Sequence, residues 1–566
     1  MVKIPFWAFL IPFLTPLLGF VGNSLFFTLL FVFVLSRLVL LFKSNHSSTL
    51  FILPFLCFIL AWVALSLISQ FSVELWSEIG ARHAFQWGAD WGLLNVLVGV
   101  PGLSMIFLIS CSFLFLTYLL EERERISIAL WGAVIGSFFS LVYSLVYWKD
   151  LFLSQGTYWQ ELSRHSGLFS DPNALGISAF VIIVANLLLV TLTKSSAARV
   201  FLVTNGLAWL GFGLFSGSRS FILALLAFFL AFAYFRSKKN TLILVLLAAF
   251  SFVLWNLASI EQLNLVRSYL PDPLDRILLA SRVDFLEFTF SSRIIFWKGA
   301  LYMLGDVFPS AIGPGQFLIW FPSYANALGL GTGIWSDSAN NFYLQAVIEL
   351  GLVGLILIAI GTLGFKRFKD QKPLVLQIWL SFILSFALIL LLGSHLAAIE
   401  VSLMAIVVLS VGLSLRFNLN LKSKLLILLL SIAALVYAPI NFSKVSYGIY
   451  PWEQDAEGPF RWSSADFRFF VDCDSGENPR INVRAVQPVS LEISIAGVSR
   501  ALAIGGGELV VLDSLCSKRP IDQRIEIGGK VDSPFVPALQ YPQSLDWRLL
   551  GVQIRSEQVD SQRAVP

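Results

Sequence analysis

Charge is what this chain has least of. Charged residues make up 13% of its 566 positions, where a soluble chain carries roughly a quarter. Net charge is only +4, so no basic surface of the kind that nucleic-acid binding requires is in view. Histidines are few and scattered (His46, His83, His165, His395), and none falls near a cysteine at metal-ligand spacing. Neither a P-loop nor a Ser/His/Asp elbow occurs, which removes the usual ATPase and hydrolase readings. No metal and no cofactor is called for. The cysteines divide by context. Cys57 and Cys111 sit in apolar runs and read as packing residues. Cys473 and Cys516 sit in a polar C-terminal region and are disulfide candidates if that region lies outside the cytoplasm.

What the chain does have is apolar length. Hydrophobic residues make up 57% of it, in runs near the roughly 20 residues that a helix needs to cross a bilayer. The runs fall at 5–20, 24–42, 50–69, 92–119, 126–147, 173–193, 200–216, 220–235, 241–256, 342–364, 374–393, 398–415 and 425–440. The first resembles a signal sequence, but with no small-residue cleavage site it reads as a retained span. With the N-terminus inside, cytoplasmic connections hold clusters such as Arg236, Lys238 and Lys239, or Lys366, Arg367, Lys369 and Lys372. The short outward loops hold only Arg82, Lys149, Arg164 and Arg219. That asymmetry is the positive-inside pattern. The expected fold is therefore an all-α polytopic membrane protein of about thirteen transmembrane helices, N-terminus in and C-terminus out, over 1–440. A long extracytoplasmic loop covers 257–341, with a helix-like stretch at 260–279. An extracytoplasmic β-rich domain covers 441–566, where runs such as 481–486 and 491–495 alternate with the period of half-buried strands; a small β-sandwich is expected.

Outward basic residues have no topological excuse, so their chemistry is the first thing to ask about. Arg164, Arg219 in Ser218-Arg219-Ser220 and Arg293 in the long loop all lie on the outward side. Guanidinium groups grip phosphate oxygens in pairs and keep their charge at any relevant pH. The bland readings are snorkelling for Arg219, a loop charge for Arg293, and helix capping for Asp171-Pro172-Asn173. A second polar cluster, Ser336-Asp337-Ser338-Ala339-Asn340-Asn341, stands where the long loop re-enters the membrane as a helix, with Glu349 about two turns in. Such a helix start favours a bound anion, and an ionisable residue near the membrane surface is a functional candidate. The bland alternative is that Asp337 and Ser338 cap the helix and Glu349 pairs with a neighbour.

The succession Arg164-x-x-Gly167-x-Phe169-x-Asp171-Pro172-Asn173, Ser218-Arg219, Arg293-x-x-x-Trp297, Gly313-x-Gly315-x-Phe317 and Asn341-x-Tyr343-Leu344-x-x-x-x-Glu349-x-Gly351-x-x-Gly354 resembles the O-antigen ligase and O-antigen polymerase superfamily. The resemblance covers about 150–365 and implies a metal-independent membrane-embedded glycosyltransferase of the GT-C class in the bacterial inner membrane, active on the periplasmic face. It implies a donor glycan on undecaprenyl diphosphate and a hydroxyl acceptor on a glycan, lipid or protein, with polysaccharide-assembly proteins as further partners. Arg164, Arg219 and Arg293 match the arginines that hold the diphosphate, with His165, Asp171, Asn173, Trp297, Tyr343 and His395 in support. Members carry His-Asn where this chain has Asn340-Asn341, and an amide is no general base. Asp337 or His395 then takes the proton, or Asn340 only positions the acceptor, or activity is lost. Polymerase and ligase are not separated by these residues. A polysaccharide or lipid transporter and a non-catalytic assembly scaffold are the competing readings; against the first, polar residues gather at one surface rather than at mid-membrane. The tail, through Phe460-Arg461-Trp462 and the segment 546–552, is similar to β-sandwich modules that end some polysaccharide-assembly proteins.

Overall fold

A computed structural model describes residues 5–43, 111–112, 114–116, 118–154, 159–160, 162–257, 269, 275, 286–308, 317, 321, 324, 338–351, 354–355, 374–393, 396, 398–416, 447–455, 457–472, 480–495, 498–512, 524–535, 537–540 and 550–556. The expected spans at 50–69 and 425–440, most of 92–119, the helix-like stretch at 260–279, and Asp337, His395, Cys473 and Cys516 lie outside the described residues.

Helices dominate the first part of the chain: α1 (Phe6–Leu14), α2 (Asn23–Lys43), α3 (Arg123–Val146), α4 (Trp148–Ser154), α5 (Pro172–Leu192), α6 (Ser196–Phe215), α7 (Arg219–Arg236), α8 (Lys238–Leu257), α9 (Leu286–Val307), α10 (Phe342–Leu350), α11 (Leu374–Leu390) and α12 (Ile399–Arg416). Among the described residues, α3, α5, α6 and α7 are long and apolar enough to cross a membrane, and shorter apolar helices include α11 and most of α12. This is an integral membrane architecture. The helix starts obey local chemistry. Asp171 caps α5, accepting from the backbone N–H of Asn173 and Ala174, with Pro172 at the first helical position. Ser195 caps α6 in the same way.

α5 is the central post of the bundle. It is apolar on every side, buries most of its length, and packs against α3, α6, α7, α11 and α12. Close approach is obtained with small residues. A Cβ placed on Gly136 of α3 would sit 2.0 Å from the Phe13 carbonyl oxygen of the N-terminal helix. The pair Gly132 and Gly136 thus lets two backbones touch, the small-residue device of helices in lipid. Cys111 is buried in the same core.

Arg293 and Trp297 stand one turn apart on α9, a helix inside the 257–341 segment. One expectation is corrected. The span expected at 342–364 is interrupted, because α10 ends at Leu350 and Gly351 turns to φ 58°, a left-handed conformation that only glycine adopts cheaply.

Beyond 446 the described chain is an antiparallel sheet of eight strands: β1 (Tyr447–Asp455), β2 (Gly458–Asp472), β3 (Ile481–Arg484), β4 (Val489–Ile495), β5 (Val498–Ile504), β6 (Leu509–Leu512), β7 (Arg524–Val531) and β8 (Gln553–Ser556). Their order is β5-β4-β7-β2-β8-β3-β6, with β1 also on β2. Alternation expected at 481–486 and 491–495 is realised: β3 and β4 bury every second residue. Where two separate sheets of a sandwich were expected, the strands form one sheet shared through the long β2. Its two wings still close on one core, with Ile481 and Val483 of β3 packed in the cluster that holds Leu491, Ile493, Ile525 and Ile527 of β4 and β7. The two segments singled out near the ends of this region meet: Phe460 and Trp462 pack with Phe535 and Leu550, and Ser463 exchanges backbone hydrogen bonds with Gly551 and Val552.

Candidate functional site

One end of the bundle collects the polar residues. The segment before α5 turns sharply: Ser163 has φ 51°, and the Arg164 N–H donates to the Trp159 carbonyl. The Arg164 side chain is only 5% exposed. Its Nε donates to the Ser216 carbonyl at 2.8 Å, its Nη2 donates to Asn173 Oδ1 at 2.8 Å, and its guanidinium lies 5.0 Å from the Trp159 ring centre. Ser216 begins the turn that leads into α7, whose first residue is Arg219. Arg164 and Arg219, distant in sequence, are thus joined across three residues of backbone. Gly176, in the second turn of α5, makes room for this turn: a Cβ there would stand 2.6 Å from the Ser218 Cβ.

His165 is fully occupied. Gly167 N–H donates to its Nδ1 at 2.9 Å, so Nε2 carries the proton and donates to the Trp148 carbonyl at 3.0 Å. The ring stacks on Trp148 at 3.8 Å, and burial pulls its pKa below the ordinary histidine value. A neutral imidazole with both nitrogens engaged braces the loop; it is not poised to move a proton. Asp171 uses Oδ1 for the α5 cap, and burial, partly countered by those N–H groups and by Arg164, pushes its pKa up to about 6.

The second group is built on α9 and α10. Asn340 has φ 48°, a left-handed conformation that asparagine tolerates better than most residues. Ser163 and Asn340 are the described non-glycine residues with positive φ, and both adjoin candidate residues. Trp297 Nε1 donates to the Asn340 carbonyl at 3.4 Å, which ties the Arg293 helix to this turn. Arg293 is part-buried, and burial alone lowers its pKa below the ordinary arginine value. Asn341, rather than Ser338, caps α10, its Oδ1 accepting from the Leu344 N–H at 3.0 Å. Tyr343 donates its hydroxyl to the Ala387 carbonyl near the C-terminal end of α11 at 2.9 Å, so it is a strut between helices. Glu349 is 0% exposed and accepts from Gln345 Nε2 at 3.0 Å on its own helix. Phe317 packs with Phe321 and Ile348 in a small core under α9 and α10.

Hydrogen bonds tie one group to α11 and the other to α12. The Tyr343 strut reaches the end of α11; at the start of α12, Glu400 Oε1 accepts from the Ser170 N–H at 3.0 Å and from the Ser170 hydroxyl. Glu400 is 2% exposed and was not singled out from the sequence. It is open to the same rule that marks Glu349: a carboxylate in the first turn of an apolar helix.

Comparison with known families covers part of this region. Residues 200–359 match the family described as O-Antigen ligase. That family is one of O-antigen ligase and polymerase-type glycosyltransferases acting in membranes on lipid-linked glycans. The match takes in Arg219, Arg293, Trp297, Asn340, Asn341, Tyr343 and Glu349, while Arg164, Asp171 and Glu400 stand outside it. A search of curated proteins returns no match.

Proposed function

We propose that this protein transfers a glycan from undecaprenyl diphosphate to a hydroxyl acceptor on the outer face of a bacterial inner membrane, as an O-antigen, capsule or exopolysaccharide polymerase or ligase. The observation that supports it most is the tie between Arg164 and the turn that launches Arg219, at the bundle end where α10 and α12 also begin. Leaving undecaprenyl diphosphate carries the electron pair of the broken glycosidic bond. Fixed guanidinium groups at that point stabilise the charge as it develops. Arg164 is fixed by its hydrogen bonds, and Arg219 follows from the turn. Arg293 is a partly desolvated cation on α9 whose environment an anion would improve. No step in this scheme calls for a metal. The 3.4 Å contact from Trp297 to the Asn340 carbonyl supports a role for this turn beside the helix that bears Arg293.

The experiment is direct. Arg164→Ala, Arg219→Ala and Arg293→Ala are each expected to abolish polymer or ligated glycan in cells while the protein remains inserted in the membrane. Normal glycan ladders from all three variants would defeat the assignment.

A further inference from the structure

Transfer to a hydroxyl releases a proton, and the described residues that sequence reading favoured do not receive it. Asn340 has no basic atom, both nitrogens of His165 are engaged, and Glu349 is sealed against Gln345. The carboxylates of Asp171 and Glu400 stand differently. Glu400 grips Ser170 through both its N–H and its hydroxyl, and the next residue is Asp171. Asp171 is part-exposed; its Oδ1 is spent on the helix cap, while Oδ2 accepts no hydrogen bond among the described residues. The residue also lies next to the arginine machinery, since Arg164 donates to Asn173 two positions on.

Resting on the transferase reading above, we propose that Asp171 Oδ2 takes the acceptor's proton and that Glu400, acting through Ser170, is the positioning residue that holds Asp171 there. In the step, the acceptor O–H bond breaks as its oxygen bonds to the anomeric carbon of the donor sugar. The bond from that carbon to the diphosphate oxygen breaks, and its electron pair leaves on undecaprenyl diphosphate. The proton passes to Asp171 and then to water. The charges acting on Asp171 come from two elements: Arg164 on its own loop favours the ionised form, and Glu400 on α12 opposes it, adding to the effect of burial. Arg219 heads α7, whose preceding turn packs on α5. A carboxyl that titrates near pH 6 binds a proton strongly enough to accept one and still returns it at neutral pH.

The test uses the purified full chain in liposomes, with a glycan on undecaprenyl diphosphate as donor and a free saccharide as acceptor, and reads kcat/KM against pH. Wild type is expected to lose activity below about pH 6 as Asp171 protonates. Glu400→Gln preserves an acceptor for Ser170 but removes the charge, so the acid limb moves to lower pH. Asp171→Asn preserves the helix cap, removes the limb, and lowers kcat by roughly 10²–10⁴ with little change in donor KM. If Asp171→Asn does not insert, the position of the limb in Glu400→Gln decides alone. An unmoved limb in Glu400→Gln, or full kcat in Asp171→Asn, overturns the inference; if Arg293→Ala still abolishes transfer, the transferase reading survives it. Wild type inactive with this donor removes both.

Discussion

The two halves of the candidate site are built to different standards of rigidity. Around Arg164, the side-chain contacts are short: two guanidinium hydrogen bonds of 2.8 Å to fixed oxygens, a ring beneath the guanidinium, and a histidine with both ring nitrogens engaged. Around Asn340, the joining contacts are long, 3.4 Å from Trp297 and 3.4 Å from the Asn340 N–H to Ser338 Oγ, and the backbone is in a left-handed conformation. Hydrogen bonds at that length are weak. On the transferase reading the division is sensible. Charge on a leaving diphosphate is best met by groups that need not reorganise, whereas the side that admits acceptors of different shape profits from a looser frame. The difference can be broken experimentally.

The largest effect is expected from the conservative exchange of arginine for lysine at the two ends. Lysine is a point charge and cannot donate in two fixed directions from one planar group. Arg164→Lys would leave Ser216 O or Asn173 Oδ1 without its donor in a buried place, a loss of about 1–3 kcal/mol. Transfer rates are expected to fall by on the order of 100-fold, close to the alanine variant, as misplacement by about 1 Å suffices for such losses. Arg293→Lys keeps the charge where, among the described residues, no comparable pair of hydrogen bonds is at stake, and about tenfold less loss than Arg164→Lys is expected. Initial rates of glycan transfer in liposomes decide the comparison; equal losses would mean that the rigid and loose halves are not different in kind.

Much of this architecture can be read from the sequence, and the misses have physical causes. Helix positions follow from apolar length and from caps that are local in sequence, so α5 begins at Pro172 as Asp171-Pro172-Asn173 demands. Strand alternation at β3 and β4 is equally local. Three things are not local. That Arg293 rides a helix depends on α9 packing Ala300 and Met303 against Phe317, Phe321 and Ile348, residues up to some fifty positions away. That the β region is one sheet depends on β2 pairing with both β7 and β8. That Glu400 belongs with Ser170 depends on a contact across 230 positions, which no periodicity reveals. The Asn341 cap was within reach, since asparagine leads the preferred cap residues, but four polar residues before α10 compete for that place.

A smaller effect tests the link between the rigid half and its scaffold. Gly176→Ala inserts a methyl group 2.6 Å from Ser218 Cβ and 2.9 Å from Ser216 Oγ. The two serine hydroxyls can rotate aside, but the Ser218 Cβ moves only with the turn itself. The turn must retreat, and with it the Ser216 carbonyl that orients Arg164. Overpacking of this sort costs about 1–3 kcal/mol, and about a tenfold loss of transfer rate is expected, with a lower unfolding temperature in detergent. Gly136→Ala overpacks α1 on α3, away from the arginines, so it is expected to match the loss of stability without the matching loss of rate at permissive temperature. Parallel losses in both variants would show that the bundle, and not the Arg164 loop, sets the activity.

The smallest effect is expected at Asn340, and it bears on the loose half alone. Histidine, like asparagine, is among the residues enriched at positive φ, so Asn340→His fits the 48° backbone and supplies an imidazole at this turn. If Asp171 already serves as proton acceptor, a second base adds little, and the rate is expected to change by less than about threefold. Asn340→Val brings a β-branched side chain into a left-handed conformation, which costs roughly 1–2 kcal/mol. Since the strain falls on a turn held by a 3.4 Å contact, that cost is expected to show as a raised acceptor KM rather than as a lower kcat. A large gain in kcat on Asn340→His would instead mean that proton removal limits the wild-type rate and that the carboxylates of the rigid half do not perform it.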